Sequence, residues 1–542
     1  MVFRIQLLTL FCFLLLLSGC YSSEKKERGI FHYNESSGIA SLDPAFAKNQ
    51  AVMWAVHQLY NTLVEVDSAL NVVPSLARSW TISGDRKTYT FYLRKDVFFH
   101  DDICFKSGKG RQLVAEDVVY SLKRLVLPAT ASPGSWIFNE KVDSLLGFTA
   151  LNDSVFQLRL TRPYMPVLGI LSMQYCSIVP REAVLRWGAS FRKHPVGTGP
   201  FSYVAWEEGQ SLLMKRNENY FEKDSKGQQL PYLDGVKVSF YDSKATEFLL
   251  LRQDKLEFIN DLDASFKDEV LTKRGTLRKE WEGRLQLHTH PYLNIEYLGL
   301  LVDSANPILK NAPTRLRKVR QAINYGFDRK KLVLYLRNSL GIPAESGFVP
   351  AGLPSFNAGK VKGYHYDPAL SRQLIKEAGF DQNHPLPAVK LFTIPVYADI
   401  ASYIARQLEE VGFRVVVETI QKSLLLQMTS GSKAVFFRGS WIADYPDAEN
   451  YLSVFYSKNP APPNYTRYNN PLFDAAFEQA LAETNDSLRY ELYRQADQIM
   501  INDAPVVPLW YDVVVHLVQP RVQGFSPNAL NLLELRRVTL TN

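Results

Sequence analysis

Between Arg438 and Asp447 the sequence reads Arg-Gly-Ser-Trp-Ile-Ala-Asp-Tyr-Pro-Asp, which crowds two carboxylates, a guanidinium and an indole into one short stretch. These residue types suit recognition rather than bond cleavage. A carboxylate held away from water takes up a cationic group, and an indole face makes a wall beside it. Asp444 is therefore the candidate anion for a cationic ligand head, with Trp441 as wall or floor. A second reading stands beside this one: aspartate is a common N-cap, and Asp444 could serve the helix expected near Asp447. Elsewhere, His288-Thr-His290 would place two imidazoles on one face of a strand, within reach of a metal, but no third ligand is evident. No Walker A, HExxH, CxxC or G-x-S-x-G motif occurs. The usual marks of ATP hydrolysis, zinc proteolysis, dithiol redox and α/β-hydrolase chemistry are thus missing.

The elements that must position this stretch are legible around it. Ala434 to Phe437 reads as a short apolar strand between Gly431 and Gly439, emptying into a loop broken by Gly439 and Pro446. Ligands collect beyond the carboxyl ends of strands in open α/β sheets. Upstream, Val389 to Ile394 predicts a strand, Asp399 to Val411 a helix stopped by Gly412, and Arg414 to Thr419 a second strand. That is a βαβ unit with parallel strands. Thr314 to Tyr325 has helical spacing, Asp328 is placed to cap the next helix, and Asp367-Pro368 starts another. Residues 296–509 thus read as one α/β domain. Nearer the N-terminus, Ile30 to Tyr33 is strand-like and Met53 to Val66 is a helix running into a strand. Two β-rich segments, 76–80 and 88–94, flank Ser83-Gly84-Asp85 as a hairpin. Glu116 to Arg124 is a helix with acids first and bases last, as its dipole favours.

The chain has 542 residues, 46% of them hydrophobic and 22% charged, which are globular values with room for several domains. A net charge of +7 over this length, with no long Lys/Arg block, gives no footprint for nucleic acid. Arg4, the apolar run Ile5 to Leu17 and Leu17-Ser-Gly-Cys20 describe a signal peptide over 1–19. The Leu-Ser-Gly-Cys ending resembles the bacterial lipobox, which implies cleavage before Cys20 and acylation of its thiol. Residues 20–29 read as a polar tether. Removal of the leader takes Cys12 with it, leaving Cys104 and Cys176 besides Cys20. A disulfide between those two is an expectation for an exported protein, although spacing alone does not show that they meet.

Leu76-Ala-Arg-Ser-Trp80, Thr88 to Asp101 and Ala115-Glu-Asp-Val-Val-Tyr-Ser-Leu122 closely resemble the signature of bacterial family 5 extracellular solute-binding proteins. Val196 to Phe201, Arg216 to Phe221, Pro231 to Gly235, Val319 to Lys330, Trp441 to Asp447 and Ala504 to Tyr511 match in the family's order. The resemblance implies a two-lobed periplasmic-binding-protein-like α/β fold (type II, cluster C). Lobe I would comprise 30–68, 195–295 and 510–542, the inserted domain II 69–194, and lobe III 296–509. It implies a binder of oligopeptides without enzymatic activity or cofactor, closing by a hinge and delivering cargo to a separate permease and ATPase. Murein peptides, oligosaccharides, opines, nickel and haem are alternative cargoes, and a secreted hydrolase is the reading from another class. Asp444 matches the carboxylate that receives a ligand α-amine. Arg438 matches a basic residue offered to a short ligand's carboxylate; the alternative is an internal ion pair with Asp444 or Asp447. Gly439 would let the ligand backbone approach, and Tyr511 faces either the cleft or the core. Thr429 stands where some relatives carry a second arginine, and Ala448 replaces a common proline.

Overall fold

The computed structural model describes residues 29–143 and 146–541. The expected leader, Cys20 and the tether up to residue 28 lie outside the described residues. In chain order, β1 (Ile30–Asn34) precedes a hairpin of β2 (Val64–Val66) and β3 (Val72–Pro74). A four-stranded antiparallel sheet follows, ordered β4 (Ala77–Ile82), β5 (Thr88–Leu93), β7 (Val155–Arg159), β6 (Phe148–Asn152). β5 buries every second residue, as a strand with one covered face does. The helix Ala115–Val126 contacts β6 and β7. Its Asp117 reaches back to the Val114 N–H at 2.9 Å, closing the first turn.

The remaining major strands are β8 (Phe201–Glu207), β9 (Ser211–Arg216), β10 (Gly235–Ser239), β11 (Phe258–Asn260), β12 (Gln286–Leu300), β13 (Ile342–Pro343), β14 (Val389–Thr393), β15 (Val415–Thr419), β16 (Phe436–Ile442) and β17 (Val506–Val518). Together with β1 they form one sheet in the order β15-β14-β16-β12-β17-β11-β1-β10-β9-β8, with β13 on β17. The long antiparallel pair β12 and β17 runs through its middle. β17, Val-Val-Pro-Leu-Trp-Tyr-Asp-Val-Val-Val-His-Leu-Val, is buried at all but two residues, Asp512 and Val513. Such a near-continuous apolar run marks a strand covered on both faces. Gln286–Pro291 pair with the end of β17 and Ile295–Gly299 with its start, and the register shifts between Pro291 and Ile295.

The βαβ unit forms as the sequence predicts. β14 and β15 are parallel and are joined through the helix Ala398–Glu410. Asp328 accepts from the Lys331 N–H at 3.0 Å and Asp367 from the Leu370 N–H at 2.9 Å, so both expected caps are made. One boundary differs. β16 spans Phe436–Ile442, not Ala434 to Phe437, so Arg438, Gly439 and Trp441 are strand residues rather than loop residues. β12 supplies a partner to every residue of β16, from Leu300↔Phe436 to Asn294↔Ile442. That ladder outweighs the turn signal of a single glycine.

Candidate ligand-binding site

β16 is covered unevenly. β12 pairs along its whole length, but β14 reaches only Phe436 and Phe437 on the other side. From Arg438 to Ile442 that second edge meets no strand among the described residues, so its backbone donors and acceptors face a gap. Beside this edge lies a cavity of ≈ 230 Å³ lined by Leu425, Leu426, Thr429, Gly439, Trp441 and Tyr465, among others. Ile442 on the strand and Leu426 on the cavity wall are half exposed, at 51% and 47%. Exposed apolar side chains gathered around an open edge are a usual mark of a binding surface.

Asp444 follows two residues beyond β16. It is exposed, not buried as a carboxylate held away from water would be, yet protein crowds it closely enough that desolvation raises the carboxyl above its ordinary range. Among the described residues no cation forms an ion pair with it. Its contacts are with Asn450, whose Nδ2 donates to Asp444 Oδ2 at a long 3.5 Å and whose Oδ1 lies 3.4 Å from the Asp444 N–H. The same Oδ1 accepts from Trp441 Nε1 at 2.9 Å. The buried Asn450 thus holds indole and carboxylate in one arrangement. The Tyr175 hydroxyl is pushed up to about 12, chiefly by burial and further by the charge of Asp444.

The capping role falls to Asp447. Its Oδ1 accepts from the Glu449 N–H at 2.9 Å, where the short helix Glu449–Leu452 begins, and its other oxygen binds Arg489. The next turn reaches across the molecule. Tyr445 is buried, 3.1 Å from the Tyr164 hydroxyl, and it donates to Glu449. Burial pushes Glu449 up to about 6, opposed by that hydrogen bond and by Lys141. Gly169 faces Tyr445 and Pro446. Tyr164 and Gly169 therefore pack on the loop that carries Asp444.

Arg438 makes an internal ion pair, but with Glu296 rather than Asp444 or Asp447. Its NH2 lies 2.8 and 2.6 Å from the two Glu296 oxygens. Tyr397 donates to Glu296 at 3.1 Å, and the guanidinium sits 4.1 Å from the Tyr397 ring centroid. Glu296 is a lone acid in the apolar run Leu293 to Leu300, and that isolation was the available sequence signal. Asn450 carried no such signal.

The other candidates are redistributed. A Cβ on Gly439 would come within 2.6 Å of the Tyr297 ring, so the close approach that this glycine permits is by a neighbouring side chain. Tyr511 is core, 1% exposed, and donates to the Gly347 carbonyl at 2.7 Å. It does not face the cleft, because β17 is covered on both faces. Cys104 and Cys176 are free thiols, not a disulfide. Burial raises both, Cys104 to about 12, leaving them poor nucleophiles at neutral pH. His288 lies opposite a third imidazole, His516, which is held by Asn531 at 2.9 Å. Among the described residues no group of three or more His, Cys, Asp or Glu is placed to hold a metal.

The model of the bacterial extracellular solute-binding proteins, family 5 Middle, matches residues 71–463. The chain belongs to this family and is a solute-binding component of an ABC transporter, working with a separate permease and ATPase. It is 29% identical to Heme-binding protein A of Haemophilus influenzae over 486 residues, 86% of this chain and 84% of that one. To the Dipeptide-binding protein of Escherichia coli it is 26% identical over 507 residues, 89% of each chain. Among solved structures, the Helicobacter pylori periplasmic binding protein DppA in complex with the peptide STSA is similar, with a TM-score of 0.74 and 24% identity over 95% of this chain and 98% of that one. HbpA2 from Haemophilus parasuis has a TM-score of 0.80 at 23% identity, covering 95% and 100%. These likenesses bear out the two-lobed α/β fold. Among the described residues no helix is long and apolar enough to cross a membrane.

Proposed function

We propose that the chain captures peptides by their free amino end, with Asp444 as the counter-ion, and carries them to its permease from a lipid anchor at Cys20. The observation that carries this reading is a carboxylate raised by desolvation, without a cation of its own, beside a strand edge open from Arg438 to Ile442. An extended peptide satisfies both features at once. Its backbone adds to the open edge, and its ammonium supplies the missing positive charge in a charge-assisted hydrogen bond. Trp441 walls the site from the position Asn450 gives it. A separate cavity of ≈ 370 Å³, lined by Asn61, Leu70, Gln174, Asn528 and Arg536 among others, is a further space that ligand side chains could use. The two strands β12 and β17 are the shared crossing, and closure would turn on the register break at Pro291 to Ile295.

Isothermal titration with the tripeptide Ala-Phe-Ala and its N-acetyl derivative tests the reading. Binding of the free amine with a loss of tenfold or more on acetylation is the expected result; equal affinity overturns it. The similarity to Heme-binding protein A favours haem as a second cargo, so haemin is titrated in parallel. Native mass spectrometry of protein purified from cells reads the cargo by mass, and recovery of unaltered ligand at one per chain separates a binder from a hydrolase.

A further inference from the structure

Resting on the reading of Asp444 as the ammonium site, we infer that Glu296 determines specificity at the other end of the open edge, occupying the place a ligand carboxylate would take. Arg438 is the one guanidinium on the exposed stretch of β16, and on charge alone it would draw an anionic group. Both Glu296 oxygens already lie within hydrogen-bond distance of its NH2, and its guanidinium carbon sits over the Tyr397 ring, 4.1 Å from the centroid. Glu296 is 3% exposed and is held in turn by the Tyr397 hydroxyl. The neighbouring strand carries it on the same face of the sheet, two positions along from the Leu298↔Arg438 pairing. Arg438 and Glu296 together are neutral: both Glu296 oxygens are taken up by the Arg438 NH2, while the buried Arg438 Nε finds no hydrogen-bond partner among the described residues. A ligand carboxylate brought here would have to displace a buried acid or lie beside it, and like charges at that distance repel strongly in a dry site.

The surroundings match a neutral guest. The adjoining cavity is lined by Leu425, Leu426, Phe437 and Tyr465, and Thr429 stands on it with its hydroxyl bonded to the Leu425 carbonyl at 3.0 Å. Lys422, the other cation on that cavity, is exposed and forms no ion pair, so water and salt screen it. The site takes cargo that is cationic at the Asp444 end and uncharged and apolar at the Arg438 end. That class includes peptides whose C-terminus is blocked or lies well beyond the pocket, and amphipathic amines.

Affinities of tri-, tetra- and pentapeptides built on Ala-Phe-Ala, each as free acid and as C-terminal amide, test this in the wild type and in Glu296→Gln. The wild type should bind acid and amide within about threefold of each other at every length. Glu296→Gln, which frees Arg438, should shift the ratio about tenfold or more toward the acid at one length. Should Glu296→Gln fail to fold, the double variant Glu296→Met with Arg438→Met removes the pair as a unit and should bind the amide as the wild type does. A wild type that prefers the acid by tenfold, or a double variant that loses the amide by tenfold, overturns the inference. The N-acetyl series reports separately on Asp444: equal binding of acetylated and free-amine peptides, with acid and amide still alike, removes the ammonium reading and leaves the Glu296 result standing. A wild type that binds none of the series overturns both.

Discussion

Asp444 and Asp447 leave the same loop three residues apart and meet opposite surroundings. Asp447 has a backbone N–H to cap at 2.9 Å and a guanidinium, Arg489, whose side chain is 8% exposed. Asp444 has a single asparagine at long range and no cation, and desolvation raises its carboxyl. Both are aspartates ahead of a helix, so residue type does not separate them. The difference lies in which charge the rest of the chain delivers. The helix Asp486–Asp503 brings Arg489 to Asp447, and no element among the described residues brings a cation into an ion pair with Asp444. A carboxylate satisfied from within holds the loop in shape. One left without an internal counter-ion is the one proposed to take it from a ligand.

Substitution should split the pair cleanly. Asp444→Ala is expected to cost about 3–5 kcal/mol of affinity for an amine-bearing peptide, two to nearly four orders of magnitude in Kd, because closure over the ligand would leave its ammonium unpaired. Its unfolding midpoint should move little, since the protein loses no strong internal partner. Asp447→Ala should do the reverse. It leaves the buried Arg489 with the exposed Asp486 alone and removes the hydrogen bond to the Glu449 N–H, lowering stability by about 1–3 kcal/mol in urea titrations, while affinity under native conditions changes by less than about tenfold. An Asp444→Ala loss below tenfold, or a stability loss equal to that of Asp447→Ala, would break the comparison.

The next effect is smaller and sharpens it. Asn450→Ala removes the acceptor of the Trp441 N–H and the only side-chain partner of Asp444, at a cost in affinity of about 1–2 kcal/mol. Titration of the peptide against pH should also distinguish the two aspartates. Asp444 binds an ammonium only when ionised, and its carboxyl is raised in the empty site. Affinity is therefore full between that raised value and the titration of the peptide amine at about 8, and falls as pH drops through the Asp444 value, approaching about tenfold per pH unit. Asp444→Asn should flatten the slope and Asp447→Asn should leave it.

How much of this was legible beforehand follows from the range of each interaction. The caps at Asp328 and Asp367, the hairpin β4–β5 and the βαβ unit are local, set by residues within a few positions, and all appear where the spacing puts them. The extent of β16 was misread because it depends on β12, more than a hundred residues upstream, which pairs straight past Gly439. Arg438 shows the same limit. An internal ion pair was one of its two readings, but its partner Glu296 lies 142 residues away and only the strand register brings the two together. The setting of Asp444 is local by contrast: Trp441 and Asn450, which meet beside it, lie within six residues of it in sequence.

Tyr511 gives the smallest effect and the control for the rest. It closes the last sequence match and is aromatic, so it was a natural candidate for the cleft; its hydroxyl instead binds the Gly347 carbonyl and its ring meets Phe356 edge-on, 5.6 Å between centroids. Tyr511→Phe keeps the ring and removes one buried hydrogen bond, so stability should fall by about 1 kcal/mol. Peptide affinity should stay within about twofold of wild type, because the side chain is 1% exposed and packs in the core two strands away from the open edge of β16. A tenfold loss of affinity in Tyr511→Phe, with stability intact, would mean that β17 turns this face to the ligand and that the gap beside β16 is not where cargo lies.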